Sequence, residues 1–372
     1  MEKKKVVCHI TTVHIPKDIR IYHKECKSLA DAGYDVKLVV VNAGDAVSDY
    51  NGVEIINVDL DTSSKVKRVI NASKKARLVA ETLKADIYHF HDPEFLFEAR
   101  KLRKRGFKVI YDVHEDVPRQ IMSKAWIPKP MRKLISLTMR LIEWTIVQDM
   151  SAVVTVVQTI VQRFSKINQK IELIQNFPQL EVLPEPADWS LKNRQVCYVG
   201  DYTRIRGINE LLIAIAQNGK QLTMAGRWSD KSLARECEER GFPESFEELG
   251  FVTRDEVQDV YVRAKIGTVL FHPVPNHMDA LPNKLFEYMA AGIPIIASDF
   301  GWLKKIVEEF NCGIAVNPKK PEEIAKAIDW LIDNDEEAQK MGQRGREAVV
   351  ENYNWATEEK KLLSLYDSLL SQ

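Results

Sequence analysis

The sequence predicts an α/β protein built from two doubly wound, Rossmann-like domains that face each other across a cleft. Three observations carry this. Short β-branched runs alternate with amphipathic helical segments along nearly the whole chain, the pattern of right-handed βαβ units and a parallel sheet covered on both faces. The alternation stops once, in the proline-bearing run NFPQLEVLPEPADWS at 176–190, and then restarts. A length of 372 residues also suits two domains better than one.

In the first half, strands are expected at 5–13 (KVVCHITTV), 35–42, 53–58, 86–91 (DIYHFH), 108–114 (KVIYDVH), 152–157 and 171–176. Helices are expected between most of them, at 19–32, 65–83 and 131–147. After the break, strands follow at 195–200 (QVCYVG), 221–226, 246–250, 266–271, 293–298 (IPIIAS) and 313–316. Three helical segments close the chain at about 321–333, 336–351 and 354–370. The expected division is a first domain at 1–178, a linker at 179–190 and a second domain at 191–353. The final segment, 354–372, is expected to pack back on the first domain. Ligands of open α/β sheets sit beyond the carboxyl ends of the strands, so the cleft is the expected active site.

Composition narrows the class. Hydrophobic residues are 45% and charged residues 28%, ordinary values for a globular protein with full cores. No apolar run reaches the ~20 residues of a membrane span. The opening MEKKKVVCHITTVHIPKDIR is interrupted by His9 and His14 and reads as a first buried strand rather than a signal peptide. The five cysteines are scattered and form no C-x-x-C pair, which favours a reducing cytoplasm and argues against a structural zinc. Neutral net charge and the lack of a reading motif disfavour nucleic acid. The neutrality hides an asymmetry: residues 1–180 carry 30 Lys and Arg against 21 Asp and Glu, a balance of +9 that leaves −9 for the remainder. A basic half points to an anionic surface or partner.

The candidate chemistry gathers at two places in the second half. In VGDYTRIRGINELL, a strand ends at Gly200 and a loop with Arg204 and Arg206 leads to Gly207, which opens a helix. Glycine lets a ligand approach the backbone, helix-start N–H groups attract anions, and arginine adds a bidentate phosphate contact. In DALPNKLFEYMAAGIPIIASDF, Pro282 suits a first helical position and Gly292 the residue past the end. Leu285, Phe286, Met289 and Ala290 recur at a helical period and are expected in the core. Glu287 sits beside that stripe, where a carboxylate can accept both hydrogens of a ribose diol. Asp279 precedes the helix and could meet sugar hydroxyls. Lys284 lies in the first turn, where the helix dipole disfavours a cation unless an anion is bound. His89 and His91 alternate on one strand and suggest a metal pair, yet no third ligand is evident; they are read as structural or acceptor-side residues.

The ordered set VGDYTRIRGINELL, MAGRW, LGFVTRDEVQDVYVRAKIGTVLFHP, LPNKLFEYMAAGIPIIASDFG and GIAVNPKKPEEIAKAI resembles the donor domain of family-4 retaining glycosyltransferases of GT-B architecture. GYDVKLVV, ADIYHFHDPE and VIYDVHED are similar to that family's acceptor domain, so the resemblance spans essentially the whole chain. The family's E-x7-E motif falls on Asp279 and Glu287. Two departures stand out. Asp279 is one methylene shorter than the family's Glu. The arginine expected after the first glycine is Asp201, and the lysine before the second is Arg206.

The resemblance implies a nucleoside-diphosphate sugar donor, expected to be UDP-linked, and transfer with retention of configuration. It implies no cofactor and no required metal. It assigns Glu287 to the ribose, Asp279 to the transferred sugar, and Arg206, helped by Arg204 or Lys284, to the leaving diphosphate. Gly207 and the run Leu281, Pro282, Asn283 and Lys284 line the donor, the backbone at Phe251 and Val252 flanks the base, and His114 touches the donor sugar from the acceptor domain. The DLD at 59–61 looks like a metal-binding D-x-D but lies in the wrong domain for donor binding.

The segment RQIMSKAWIPKPMRKLISLTMRLIEWTIVQ, 119–148, mixes Arg119, Lys124, Lys129, Arg132, Lys133 and Arg140 with Trp126, Trp144 and large aliphatics. Basic, tryptophan-bearing amphipathic segments lie in anionic membrane interfaces, although a packing helix with a basic edge has the same composition. The expected acceptor is a glycan or lipid-linked molecule of capsule, O-antigen or exopolysaccharide assembly. The expected location is the cytoplasm, peripheral at the inner face of the plasma membrane if this segment binds lipid. Two competing readings remain: a nucleotide-sugar epimerase of the same architecture, and a non-catalytic nucleotide-sugar-binding module.

Overall fold

The computed structural model describes residues 4–44, 52–60, 65–124, 127–182, 187–193 and 195–371. Asp61, Trp126 and residues 183–186 of the proline-bearing run lie outside these described residues. The chain divides into two compact units, Met1–Asn176 with Trp355–Gln372, and Phe177–Asn354.

The first unit holds β1 (Val6–Thr11), β2 (Asp35–Val41), β3 (Val53–Val58), β4 (Ile87–Phe90), β5 (Lys108–Val113), β6 (Ala152–Thr155) and β7 (Ile171–Leu173). All pairs are parallel, in the order β3-β2-β1-β4-β5-β6-β7. Its helices are α1 (Lys27–Asp31), α2 (Lys65–Thr82), α3 (Leu96–Lys104), α4 (Val117–Ser123), α5 (Lys129–Val147) and α6 (Gln158–Phe164). Because side chains alternate along a strand, β1 serves two cores. Cys8 and Ile10 pack with Tyr88, Phe90 and the α2–α3 side. Val7 packs with Ile87, Ile110, Ile21 and the terminal helix residues Trp355, Leu362 and Tyr366. Trp355 Nε1 donates to Ser28 Oγ at 2.9 Å, fixing that helix to α1.

One local outcome differs from the sequence reading. The helix expected at 19–32 begins as a π-helix, Ile19–Cys26, capped by the Asp18 carboxylate on the N–H groups of Arg20 and Ile21, before α1 continues it. α5 covers the helix expected at 131–147, and α4 precedes it in the basic 119–148 segment; Pro128 holds an extended backbone (ψ 135°) and leads into the start of α5.

The second unit repeats the plan with β8 (Gln195–Val199), β9 (Gln221–Ala225), β10 (Phe246–Gly250), β11 (Ile266–Val269), β12 (Ile295–Ser298) and β13 (Gly313–Val316). They form a parallel sheet in the order β10-β9-β8-β11-β12-β13. The helices are α7 (Ile208–Asn218), α8 (Lys231–Arg240), α9 (Arg254–Arg263), α10 (Asn283–Ala290), α11 (Gly301–Phe310), α12 (Pro321–Asp333) and α13 (Asp335–Asn352), followed by α14 (Trp355–Leu370) of the first unit. In both sheets the order reverses beside the first strand, at β1/β4 and at β8/β11. Such switch points are where open α/β sheets bind ligands. Among the described residues no helix is long and apolar enough to cross a membrane.

Candidate functional site

The carboxyl end of β8 brings two cations of the second unit, Lys284 and Arg206, to one turn. Gly200 has φ 128°, and a Cβ placed there would stand 3.0 Å from Lys284 Nζ and 3.6 Å from Arg206 Nη1. Two cations from separate elements therefore converge on one glycine. Gly226, at the end of β9, presses on the same turn: its Cβ would fall 2.0 Å from the Gly200 carbonyl oxygen. Gly207, with φ 70°, opens α7 against the end of β11, where a Cβ would meet the Leu270 carbonyl at 2.2 Å. Only glycine permits either approach.

Lys284 is buried, and its ammonium has no hydrogen-bond partner among the described residues; it lies 3.5 Å from the centre of the Tyr198 ring. Burial, followed by the nearby Arg206 charge, pulls its pKa well below the usual lysine value, against the pull of Glu287 and Asp201. An orphaned cation beside a second cation and a bare glycine backbone fits an anion such as a diphosphate. Arg206 donates to the Asp201 carbonyl at 3.4 Å. Arg204 is placed differently: its guanidinium pairs with Glu236 on α8 at 2.6 Å. Asp201, the departure from the family pattern, pairs with Arg227 at 3.2 Å.

α10 presents the second half of the site. Leu285, Phe286, Met289 and Ala290 are all buried, as their spacing predicts. Their neighbour Tyr288 packs so closely on β11 that a Cβ at Gly267 would lie 2.5 Å from its ring, and its hydroxyl accepts from the Val199 N–H at 2.9 Å. Pro282 stays extended, Asn283 opens the helix, and Lys284 and Glu287 follow. The Tyr261 hydroxyl, from α9, donates to Glu287 Oε2 at 2.8 Å and fixes the carboxylate. Asp279 and Leu281 are half-buried in the preceding loop. That loop rests on α11, where a Cβ at Gly301 would meet the Met278 carbonyl at 2.2 Å. After β10, Phe251 is 84% exposed and Val252 half-buried. Tyr261, Tyr288 and Glu236 were not legible in the sequence, because each meets its partner from 26 or more residues away.

In the first unit, His114 follows β5 and its Nε2 lies 2.8 Å from Asp112 Oδ2. Asp112 also meets His91 Nδ1 at 3.1 Å and is held bidentately by Arg20, whose Nε and Nη2 donate at 2.9 and 3.0 Å. Burial opposes ionisation of Asp112, but Arg20 and then His114 override it and hold the carboxyl well below the usual range. Arg20 Nη1 donates to the Ile174 carbonyl at 2.9 Å. Behind this network stand His9, Glu25, His89 and Tyr366, all buried. The sequence offered no third group beside His89 and His91; the structure brings His9 and Glu25 to them. His9 was legible only as an alternating residue of β1. Arg20 and Glu25, five apart, point apart on an α-helix and share a face only in the wider π turn.

Two family models match adjacent stretches of the chain: Glycosyltransferase Family 4 over residues 20–181 and Glycosyl transferases group 1 over residues 181–348. An MMP alpha-(1->4)-mannosyltransferase from Mycolicibacterium hassiacum is 24% identical over 208 residues, 52% of this chain and 49% of the relative. The chain spans about half the length of the curated relatives it matches. Among solved structures, a sucrose-phosphate synthase from Thermosynechococcus elongatus superposes with a TM-score of 0.80 at 18% identity, covering 99% of this chain and all of the other. Anabaena HepE in complex with UDP gives 0.72 at 14% identity, covering 98% of this chain and all of the other. These likenesses establish the fold, and the two adjoining family models, together with the relatives, establish the lineage. The chain belongs to the family-4 glycosyltransferases of GT-B fold.

Proposed function

We propose that the protein is a retaining glycosyltransferase that moves a sugar from a nucleoside-diphosphate sugar, UDP-linked, to a glycan or lipid-linked acceptor. The observation that carries this reading is the buried, unpartnered Lys284 ammonium beside Arg206 at Gly200. Breaking the anomeric C–O bond leaves negative charge on the diphosphate, and fixed cations aimed at that charge are the largest catalytic contribution such a site can make. Lys284 and Arg206 supply two positive charges there, so the donor side of the reaction is assigned without a metal. Glu287, fixed by Tyr261, takes the ribose hydroxyls, Asp279 the transferred sugar, and the backbone at Phe251 and Val252 the base. The solved complexes of HepE with UDP and with UDP-glucose lend the donor class further support. The acceptor attacks from the face the diphosphate leaves. The test is a screen of nucleotide sugars for binding, then reaction with a lipid-diphosphate acceptor and NMR of the new linkage. A retained anomeric configuration is expected, and an inverted one overturns the mechanism.

The acceptor side of this reading is a membrane-surface pathway for surface glycans. α5 exposes Met131, Leu134, Leu137, Leu141 and Trp144, with Leu134 66% exposed, beside Lys129, Lys133 and Arg140. A cavity of about 480 Å³ against this helix is lined by Arg119, Arg140, Arg163 and Lys166 together with Asp116 and Trp144, a cationic excess suited to a phosphate headgroup. Vesicles with anionic lipid are expected to retain the protein at low salt and release it at high salt, where charges are screened. Equal recovery from neutral and anionic vesicles would count against the membrane assignment.

A further inference from the structure

The buried cluster of the first unit takes no part in the donor chemistry, and hydrogen bonding leaves it incomplete. His9 on β1 stands opposite His89 on β4 in the strand register, His91 follows at the end of β4, and Glu25 comes from the π-helix. All four are buried, and one ligand-capable atom from each lies within 4.8 Å of the others. His9 Nδ1 is 3.0 Å from His91 Nε2 and 4.0 Å from Glu25 Oε2, which is 3.9 Å from His89 Nδ1.

Two further observations point to a missing centre. Both carboxylate oxygens of Glu25 are buried with no hydrogen-bond partner among the described residues, while His89 Nδ1, the nitrogen near Glu25, also meets the Tyr366 hydroxyl at 2.8 Å. Arg20 Nη2 approaches Glu25 Oε1 to 3.0 Å but is not aligned as a donor, and its charge is already engaged by Asp112. The far sides of two imidazoles are meanwhile held by outer partners. His91 meets Asp112 through Nδ1 at 3.1 Å, and His9 meets the Tyr366 hydroxyl through Nε2 at 3.1 Å. Metal-bound histidines are oriented in this way, by a carboxylate or hydroxyl on the nitrogen away from the ion.

We infer that His9, Glu25, His89 and His91 form a closed, structural zinc site within the first unit. Three imidazoles and one carboxylate are a donor set that zinc accepts in tetrahedral geometry. Zinc–ligand distances of about 2.0–2.2 Å place neighbouring ligand atoms about 3.3 Å apart, so the widest pair must close by roughly 1.5 Å, shared between two side chains. The ion ties β1, β4 and the π-helix together across 82 residues of sequence separation. Full burial leaves no position for substrate, so its role is to hold the fold rather than to turn over donor. Cysteine is absent from the set, so the cysteine pattern in the sequence could not reveal it.

The experiment uses the full chain, free of any affinity tag and purified without added metal or chelator. Mass-spectrometric metal analysis is expected to find about one zinc per chain. Refolding from urea with Co²⁺ in place of zinc is expected to give the visible absorption of tetrahedral cobalt. His9→Gln with His91→Gln is expected to lose the metal and the cobalt spectrum, while His277→Gln in the second unit keeps both. The inference is overturned by metal below about a tenth of an equivalent together with no cobalt spectrum after refolding. It is equally overturned by stoichiometric metal that survives the double substitution, or by a different metal at full occupancy.

Discussion

Lys284→Met is expected to reduce turnover by about 10²–10³-fold, the loss that follows removal of one preorganised charge from a transition state, while raising the melting temperature of the ligand-free chain. The two effects have one origin. Lys284 Nζ is buried with no hydrogen-bond partner among the described residues and faces Arg206 around Gly200. Leaving such a group unsatisfied costs about 1–3 kcal/mol, and methionine fills similar volume without the charge. For a unit of this size, each kcal/mol regained corresponds to roughly 2–4 °C. The pH dependence has a definite sign. Burial and Arg206 lower the folded-state pKa of Lys284 well below 10.5, so between the two values the unfolded chain holds more protons and stability rises with pH. That slope is expected to disappear in Lys284→Met. Lys284→Arg is not expected to restore turnover, because a larger guanidinium must fit a buried site where Nζ already stands 3.5 Å from the centre of the Tyr198 ring. Arg204→Ala is the control: its guanidinium pairs with Glu236 on a partly exposed face, and its turnover is expected to stay within about twofold, as for most surface pairs. Scanning calorimetry and steady-state turnover decide the matter. Wild-type turnover in Lys284→Met, or a lowered melting temperature without ligand, would sink the assignment.

Much of this was legible from period and punctuation. The stripe Leu285, Phe286, Met289 and Ala290 set the inward face of α10, and Asp279 and Glu287 were placed around it by simple spacing. Strand alternation likewise placed His89 and His91 on one face. What remained illegible depends on partners distant in sequence. Arg204 and Lys284 looked equally able to meet a phosphate, and they are separated only by Glu236, 32 residues beyond Arg204. Glycine in the sequence marked a turn at Gly200, whereas its structural consequence is the space that Lys284 and Arg206 occupy. The π-helix was hidden for a different reason. Its residues satisfy an α-helical pattern, and only the buried partners Asp112 and Ile174 show why Arg20 and Glu25 share a face.

Arg20→Ala is expected to destabilise the first unit by about 3–5 kcal/mol, the usual consequence of removing one partner from a buried pair. Asp112 is fully buried and is kept ionised chiefly by Arg20, so alanine leaves an uncompensated carboxylate under the sheet. Arg20→Lys is expected to recover little, because a single ammonium cannot reproduce the two parallel bonds at 2.9 and 3.0 Å. Adding Asp112→Asn to Arg20→Ala should return a large part of the loss, since the stranded charge is then gone. The depressed Asp112 pKa gives a matching acid signature. Its contribution is present above the ordinary aspartate value and is lost as pH falls through the lower folded-state value. Hydrogen exchange of peptides covering Ile19–Cys26 and β5 reads the first unit directly, without assuming that both units unfold together. Protection unchanged in those peptides, or lost only in the second unit, would show that Arg20 is not the group that holds Asp112. Because His114 Nε2–H donates to the same Asp112 oxygen at 2.8 Å, the Asp112→Asn chain that still folds also isolates orientation from stability. Its imidazole keeps a neighbour but loses the charge that selects its tautomer, so a kcat loss with intact protection assigns Asp112 as the residue that positions His114.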